Sequence, residues 1–111
     1  MCFLHLQQEV TAMTVTMNRN DTQLTVNIRG RLDTLTAPEL EEKLEDALDG
    51  VEELILDLDG LEYISSAGLR VILSVIKQMD EQGEMKLRNV CDDVMDVFEV
   101  TGFIDFLNIE E

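Results

Sequence analysis

Cysteine is scarce in this sequence, which has Cys2 and Cys91 among its 111 residues. The two lie far apart, without a CxxC pair or a histidine cluster, so neither a zinc site nor a disulfide framework is indicated. The first residues also lack the basic region and the apolar run of a signal peptide. These absences predict free thiols in a reducing, cytoplasmic environment, and no cofactor is predicted.

Long hydrophobic runs and basic residues are lacking as well. The longest wholly apolar runs span a few residues, whereas a helix that crosses a bilayer needs about 20. Eight basic residues against 24 acidic ones give a net charge of −16, which repels the phosphates of nucleic acids and of anionic lipids. The sequence therefore predicts a soluble protein whose partners are neither nucleic acids nor membranes.

What the chain does contain is sufficient for one domain. Hydrophobic residues make up 45% of the sequence, and a domain of this size buries roughly two-thirds of the surface that its unfolded chain exposes. Residues 1–12 show neither alternation nor a helical period. We predict that they are an N-terminal extension, either disordered or the product of an upstream start, and that the domain covers residues 13–111.

Two patterns at the start of the domain predict a hairpin and a helix. Apolar and polar residues alternate over Met13–Met17 and again over Leu24–Ile28, as in two paired strands. Thr36 and Glu39 then have the spacing of a capping box, and Pro38 fits the first turn of a helix.

The second half of the chain alternates strands with helices. Leu54–Leu58 is almost continuously apolar, which predicts a central strand that is covered on both faces. A helix is expected from Ser66 to Gly83, a strand over Met85–Val90, and a third helix that ends at Gly102 before a short turn or edge strand. Because strand–helix–strand units cross over right-handed, the two strands should be parallel. The prediction is an α/β fold with a small mixed sheet.

The helix from Ser66 has a wider apolar surface than it needs to cover a sheet. Val71 and Val75 account for the excess. They are either packed by another element or left for a partner.

Ser65 and Ser66, at the start of this helix, are the candidate chemical groups. A helix N-terminus has unpaired N–H groups and a partial positive charge, so a serine there either caps the helix or presents an oxygen suited to carrying a phosphate. The sequence has no GxSxG motif, no GxxxxGK loop and a single histidine, His5. No enzyme signature is therefore present.

Acidic residues offer a second candidate. Asp57 and Asp59 end the apolar strand, where a response-regulator receiver has its phosphoaccepting aspartate. A receiver also needs an acidic pair after its first strand and a lysine at a late strand end, whereas Lys86 falls inside a strand here. The acidic run from Glu39 to Asp49 is interpreted as a solvated helix face.

Three motifs resemble the STAS domain family. They are Gly30-Arg31-Leu32-Asp33, Leu56-Asp57-Leu58, and Tyr63-Ile64-Ser65-Ser66-Ala67-Gly68-Leu69. The resemblance runs from about Met13 to the end of the chain. It implies a small mixed sheet with helices mostly on one face and, for a stand-alone chain, an anti-sigma factor antagonist that frees a sigma factor.

The resemblance also implies a site. It makes Ser66 the target of the anti-sigma factor, which is an ATP-dependent serine kinase, with Ser65 as the alternative acceptor at a position where the family often has aspartate. Asp33 is expected either on the kinase-facing surface or as a turn residue of the first helix. The full expected partner-binding set is Asp33, Ser65, Ser66, Ala67, Gly68 and Arg70. The alternative function is a STAS subunit of a transporter-associated or stress-sensing complex without phosphorylation, and the oligomeric state stays open.

Overall fold

A computed structural model of the chain describes residues 13–110. The predicted extension, residues 1–12, lies outside them. The described residues form a six-stranded sheet and three α-helices. In chain order the elements are β1 (Met13–Asn20), β2 (Gln23–Leu32), α1 (Ala37–Ala47), β3 (Glu53–Asp57), β4 (Leu61–Ile64), α2 (Ser66–Gln82), β5 (Glu84–Arg88), α3 (Asp92–Thr101), a 3-10 helix (Phe103–Asp105) and β6 (Ile109–Glu110).

The predicted hairpin is confirmed. β1 and β2 pair antiparallel from Met13 opposite Gly30 to Asn20 opposite Gln23. Asp21, in the tight turn, has a φ of 62°, a left-handed conformation that aspartate tolerates better than most residues.

The predicted mixed sheet is confirmed, with its parallel strands in the order β2-β3-β5-β6 and β1 outside β2. β4 was not predicted, because its four residues lie in a segment that resembles a loop. It pairs parallel with the C-terminal part of β2, beyond the part that pairs with β3. The long β2 therefore has two successive partners, and the pairing shifts register between Gly30 and Arg31.

The two faces of the sheet differ. Leu54 and Leu56 of β3 join the hydrophobic core with the buried residues of the helices. Ile55 points to the other face, where its neighbours on adjacent strands are Thr25 and Lys86, and it is 6% exposed there. β3 is central and both of its faces are covered, as predicted, but the neighbours of Ile55 on the adjacent strands are polar, whereas Leu54 and Leu56 lie in the core.

The wide apolar surface of α2 is packed within the domain. α1 packs against α2, and Val71 and Val75 are 5% and 4% exposed. Of the two uses that the sequence left open for this surface, internal packing is the one found.

Candidate functional site

The candidate site lies where β2 and β4 end together. Leu32 and Ile64 are paired residues of these parallel strands, and the Ser65 N–H donates to the Leu32 carbonyl oxygen over 2.9 Å. The turn that follows β2 and the start of α2 are consequently neighbours. Sheets of this kind collect ligand sites at the carboxyl ends of their strands.

Ser65 caps α2, as its position at the helix start allows. Its Oγ accepts a hydrogen bond from the Gly68 N–H at 3.3 Å, and its carbonyl oxygen accepts from the Leu69 N–H at 2.9 Å. The residue is extended, with φ −100° and ψ 177°, and half-buried. Its hydroxyl is therefore engaged in holding the helix start.

Ser66 is the first residue of α2 and is exposed. Helix geometry leaves the N–H groups of Ser66 and Ala67 without an intrahelical acceptor. Arg70, also exposed, lies one turn further along the same helix. An oxygen at Ser66 is thus open to solvent in a locally positive environment.

Gly68 allows α2 to approach β2 closely. A Cβ at this position would lie 2.7 Å from Leu32 Cγ and 2.9 Å from Ile64 Cγ1, closer than such atoms pack. Gly68 is itself buried. Gly68 therefore fixes the position of the helix start, which carries Ser66 and Ala67, and offers no exposed surface of its own.

Asp33 holds the adjacent turn together. Its Oδ1 accepts hydrogen bonds from the Leu35 N–H at 3.0 Å and from the Thr36 N–H at 3.1 Å. The Thr36 hydroxyl accepts from the Asp33 N–H and donates to the Arg31 carbonyl oxygen, each at 2.8 Å. Thr36 is the N-cap of α1, but its side chain makes no capping bond. The predicted capping box is wrong, because the Thr36 hydroxyl bonds to the backbone of Asp33 and Arg31 and not to an N–H group of α1.

The carboxyl of Asp33 is held in its charged form. Partial burial raises its pKa, but the hydrogen bonds from Thr36 and Leu35 and the charge of Arg31 together outweigh that effect, and the pKa lies below its ordinary value of 3.8. Arg31 Nε is 3.8 Å from Asp33 Oδ2, and the Arg31 guanidinium lies 4.3 Å from the centre of the Tyr63 ring. These contacts join β2, β4 and the turn.

A shallow groove of about 270 Å³ runs between the turn and α2. Thr34 lies on one side of it, and Ala67 and Arg70 on the other. Of the six residues expected from the sequence, Asp33, Ser65, Ser66, Ala67 and Gly68 lie around this junction of the two strand ends, and Arg70 lies one turn along α2.

The partner-binding set expected from the sequence left out Leu35, and it left out Arg31 and Tyr63 although both lie within the motifs of the resemblance. Tyr63 is 41% exposed and Leu35 is 87% exposed. The signal for Leu35 was present: it is a leucine in a polar turn, and it falls outside the apolar face of α1. The signal for Tyr63 was weak, because β4 is only four residues long.

The aspartates at the end of β3, Asp57 and Asp59, have structural partners. Asp57 Oδ1 accepts from the Asp59 N–H at 3.1 Å and from Asn89 Nδ2 at 2.9 Å. Lys86 forms an ion pair with Glu53, with its Nζ 3.7 Å from Glu53 Oε2. Within residues 13–110 no group of three or more His, Cys, Asp or Glu residues is placed to hold a metal ion. No helix in this part of the chain is long and apolar enough to span a membrane.

Comparison with known proteins assigns the family. Residues 14–111 match the STAS domain. The chain is 39% identical over 99 residues to BtrV of Bordetella bronchiseptica, provisionally named an anti-sigma factor antagonist, with 87% of this chain and 85% of that protein covered. It is 32% identical over 96 residues to the anti-sigma-B factor antagonist of Bacillus subtilis, with 86% and 88% covered.

The fold has solved counterparts. The structure is similar to unphosphorylated SpoIIAA, an anti-sigma factor antagonist, with a TM-score of 0.76 at 18% identity over 88% of this chain and 89% of that one. SpoIIAA of Bacillus has also been solved in its phosphorylated form. With its sheet, its loop motif and its sequence relatives in agreement, this chain belongs to the STAS domain family.

Proposed function

We propose that the chain is an anti-sigma factor antagonist, a non-enzymatic regulator that binds an anti-sigma factor and so releases a sigma factor. The observation that carries this proposal is the exposed Ser66 hydroxyl at the start of α2, beside the turn that Asp33 holds. The names of BtrV and of the Bacillus subtilis relative support the same function. In this proposal the anti-sigma factor is a serine kinase that phosphorylates Ser66.

Phosphorylation at Ser66 would act through charge. It places about 1.5 to 2 negative charges and three acceptor oxygens where a neutral hydroxyl faced the partner. The unpaired N–H groups of the first turn can hold those oxygens locally, so the domain need not rearrange. The phosphate no longer fits the surface that the neutral hydroxyl fitted, and burying its charge there costs free energy, so the antagonist releases its partner.

The geometry favours Ser66 over Ser65 as the acceptor. Ser65 is half-buried and its Oγ accepts a hydrogen bond from the Gly68 N–H. Ser66 is exposed. Its hydroxyl can therefore enter a kinase active site without opening the helix.

The proposed partner surface extends from Ser66 across the groove. Ala67 and Arg70 line it on α2. Asp33 contributes through the turn that it fixes, and Ser65 and Gly68 contribute by setting the position of the helix start.

The first test identifies the partner. The immobilised full-length chain is incubated with a lysate of its source organism without ATP, and the bound proteins are identified by mass spectrometry. We expect a small ATP-binding serine kinase of the anti-sigma class. Recovery of membrane transport proteins alone would contradict the proposal and favour a STAS subunit of a transporter-associated complex.

The second test locates the phosphate. With the purified kinase and magnesium ATP, the wild-type chain should gain the mass of one phosphate and lose affinity for the kinase. Ser66→Ala should gain none and stay bound, whereas Ser66→Asp should bind more weakly. Ser65→Ala is the matched control: it should still be phosphorylated, with a loss of about 1 kcal/mol in stability from the missing cap. Phosphorylation of Ser66→Ala but not of Ser65→Ala would move the acceptor to Ser65.

A further inference from the structure

Leu35 is the most exposed of the large hydrophobic side chains in the described part of the chain, at 87%. It lies in the turn between β2 and α1. Single exposed leucines are common on protein surfaces, so exposure by itself assigns no role. Two features distinguish Leu35 from other exposed leucines. Hydrogen bonds hold its turn in place, and this turn lies beside the start of α2.

The backbone that presents Leu35 is fixed on both sides. The Leu35 and Thr36 N–H groups both donate to Asp33 Oδ1, and the Thr36 hydroxyl connects the Asp33 N–H to the Arg31 carbonyl oxygen. A side chain on such a turn loses little further backbone freedom when a partner covers it. Leu35 is therefore preorganised for contact.

The turn that carries Leu35 lies beside the start of α2, where Ser66 is. The neighbour of Leu35, Thr34, lines the same groove as Ala67 and Arg70, and the strand ends that lead to the turn and to α2 are hydrogen-bonded to each other. Exposed acidic side chains follow on α1, among them Glu39 and Glu42. Leu35 is thus an apolar point next to an acidic border on α1, whereas Arg31 and Arg70 lie toward β4 and α2.

We propose that Leu35 anchors the anti-sigma factor by entering an apolar pocket with a basic rim on that partner. This inference rests on the proposed function. Charge selects the occupant: a second copy of a chain with a net charge of −16 would bring one acidic border against another, which is repulsive, whereas a basic rim complements it. Ser66 supplies the switch, and Leu35 supplies affinity that phosphorylation then overcomes.

The test compares two leucine-site variants with a matched exposed residue elsewhere. The probe is the purified anti-sigma factor kinase recovered by the wild-type chain. Leu35→Ala should weaken binding about ten- to a hundredfold, since a buried leucine side chain is lost from the interface. Leu35→Met should keep binding within about threefold. Val100→Ala on α3 removes an equally exposed side chain, 86% exposed, and should change affinity less than about twofold.

Phosphorylation kinetics provide a second readout. Leu35→Ala should raise the KM for this chain as substrate and leave kcat within about twofold, because Leu35 does not touch the reacting hydroxyl. An unchanged affinity in Leu35→Ala would overturn this inference and leave the proposed function intact. Equal losses in Leu35→Ala and Val100→Ala would also overturn it, because binding would then follow general surface hydrophobicity. If the wild-type chain recovers no anti-sigma factor, the proposed function itself fails.

Discussion

A serine at the start of a helix can cap the helix or leave its hydroxyl free. In this chain Ser65 caps α2, and Ser66 has the free hydroxyl. Ser65 accepts the hydrogen bond from the Gly68 N–H, so Ser66 does not have to. This division depends on Gly68, which brings the helix against Leu32 and Ile64. The four consecutive small residues after Ile64 therefore place one exposed hydroxyl at a defined point of the surface.

The charge of Asp33 should stabilise the fold in a pH-dependent manner. The pKa of the folded state lies below the ordinary value of 3.8, so the stabilisation is present above that value and is lost as the pH falls through the folded pKa. Asp33→Asn keeps an acceptor oxygen but loses the charge. We expect it to lower the free energy of unfolding at pH 7 by about 1 kcal/mol. Urea titrations at pH 7 and near pH 3 should show the difference from the wild type shrinking in acid.

Asp46→Asn serves as the control for this experiment. Asp46 is exposed on α1, and its replacement should change stability by less than about 0.5 kcal/mol at either pH. A loss in Asp33→Asn that is the same at both pH values would show that the shape of the turn matters and the charge of the carboxylate does not.

The sequence was enough to propose residues for the candidate site, but it was not enough to predict all of their hydrogen bonds. The capping of α2 and the position of Ser66 could be predicted, because cap preferences depend on local backbone geometry. The bonding of Thr36 could not, since its hydroxyl is taken by the Arg31 carbonyl oxygen of β2, an acceptor that belongs to the strand end. The stacking of Arg31 on Tyr63 likewise depends on the pairing of β2 with β4.

At the scale of elements, β3 shows how a strand can be central and still have unlike faces. Leu54 and Leu56 are fully buried in the core. Ile55 lies opposite them, between Thr25 of β2 and Lys86 of β5. The apolar run in the sequence correctly predicted the central position. The sequence of β3 alone does not indicate which side chains cover Ile55, because those side chains come from other strands.

Truncating Leu56 and Ile55 in turn should show that the two faces of β3 contribute differently to stability. Leu56→Ala removes a side chain with no exposure and should cost about 2–5 kcal/mol. Ile55→Ala should cost at least about 1 kcal/mol less, because the long Lys86 side chain can settle over the gap. Glu42→Ala on the exposed face of α1 should stay within about 0.5 kcal/mol. Urea titration measures all three, and an equal cost at both β3 positions would mean that the Ile55 face is packed as tightly as the core.

Strand and helix order could be predicted because periodicity and crossover handedness are local or general rules. β4 could not be predicted, because it is only four residues long and only its two end residues, Leu61 and Ile64, are buried. This pattern of apolar and polar residues does not distinguish a strand from a loop. Only pairing with the extended β2 makes β4 a strand. The loop before α2 could be chosen as the candidate site from the sequence, but the strand that fixes this loop beside Asp33 could not be predicted.

At the scale of the whole molecule, the excess of acidic residues opposes compaction. The net charge is −16. Residues 13–110 form five ion pairs, with N–O distances between 3.5 and 4.0 Å. Exposed pairs of this kind contribute about 0–1 kcal/mol each. Repulsion among carboxylates is stronger in the folded chain than in the expanded unfolded one, because folding brings the charges closer together.

Salt should therefore stabilise this protein. Raising sodium chloride from about 0.01 M to about 0.5 M shortens the Debye length from about 30 Å to a few ångströms, which screens repulsion over the whole surface and the five ion pairs alike. Because the repulsive charges outnumber the paired ones, we expect Tm, followed by circular dichroism at pH 7, to rise by several degrees. The variant Glu42→Gln with Glu45→Gln removes two exposed charges of α1; it should have a higher Tm in low salt and a smaller rise on adding salt. A fall in wild-type Tm with salt would show instead that the ion pairs outweigh the repulsion.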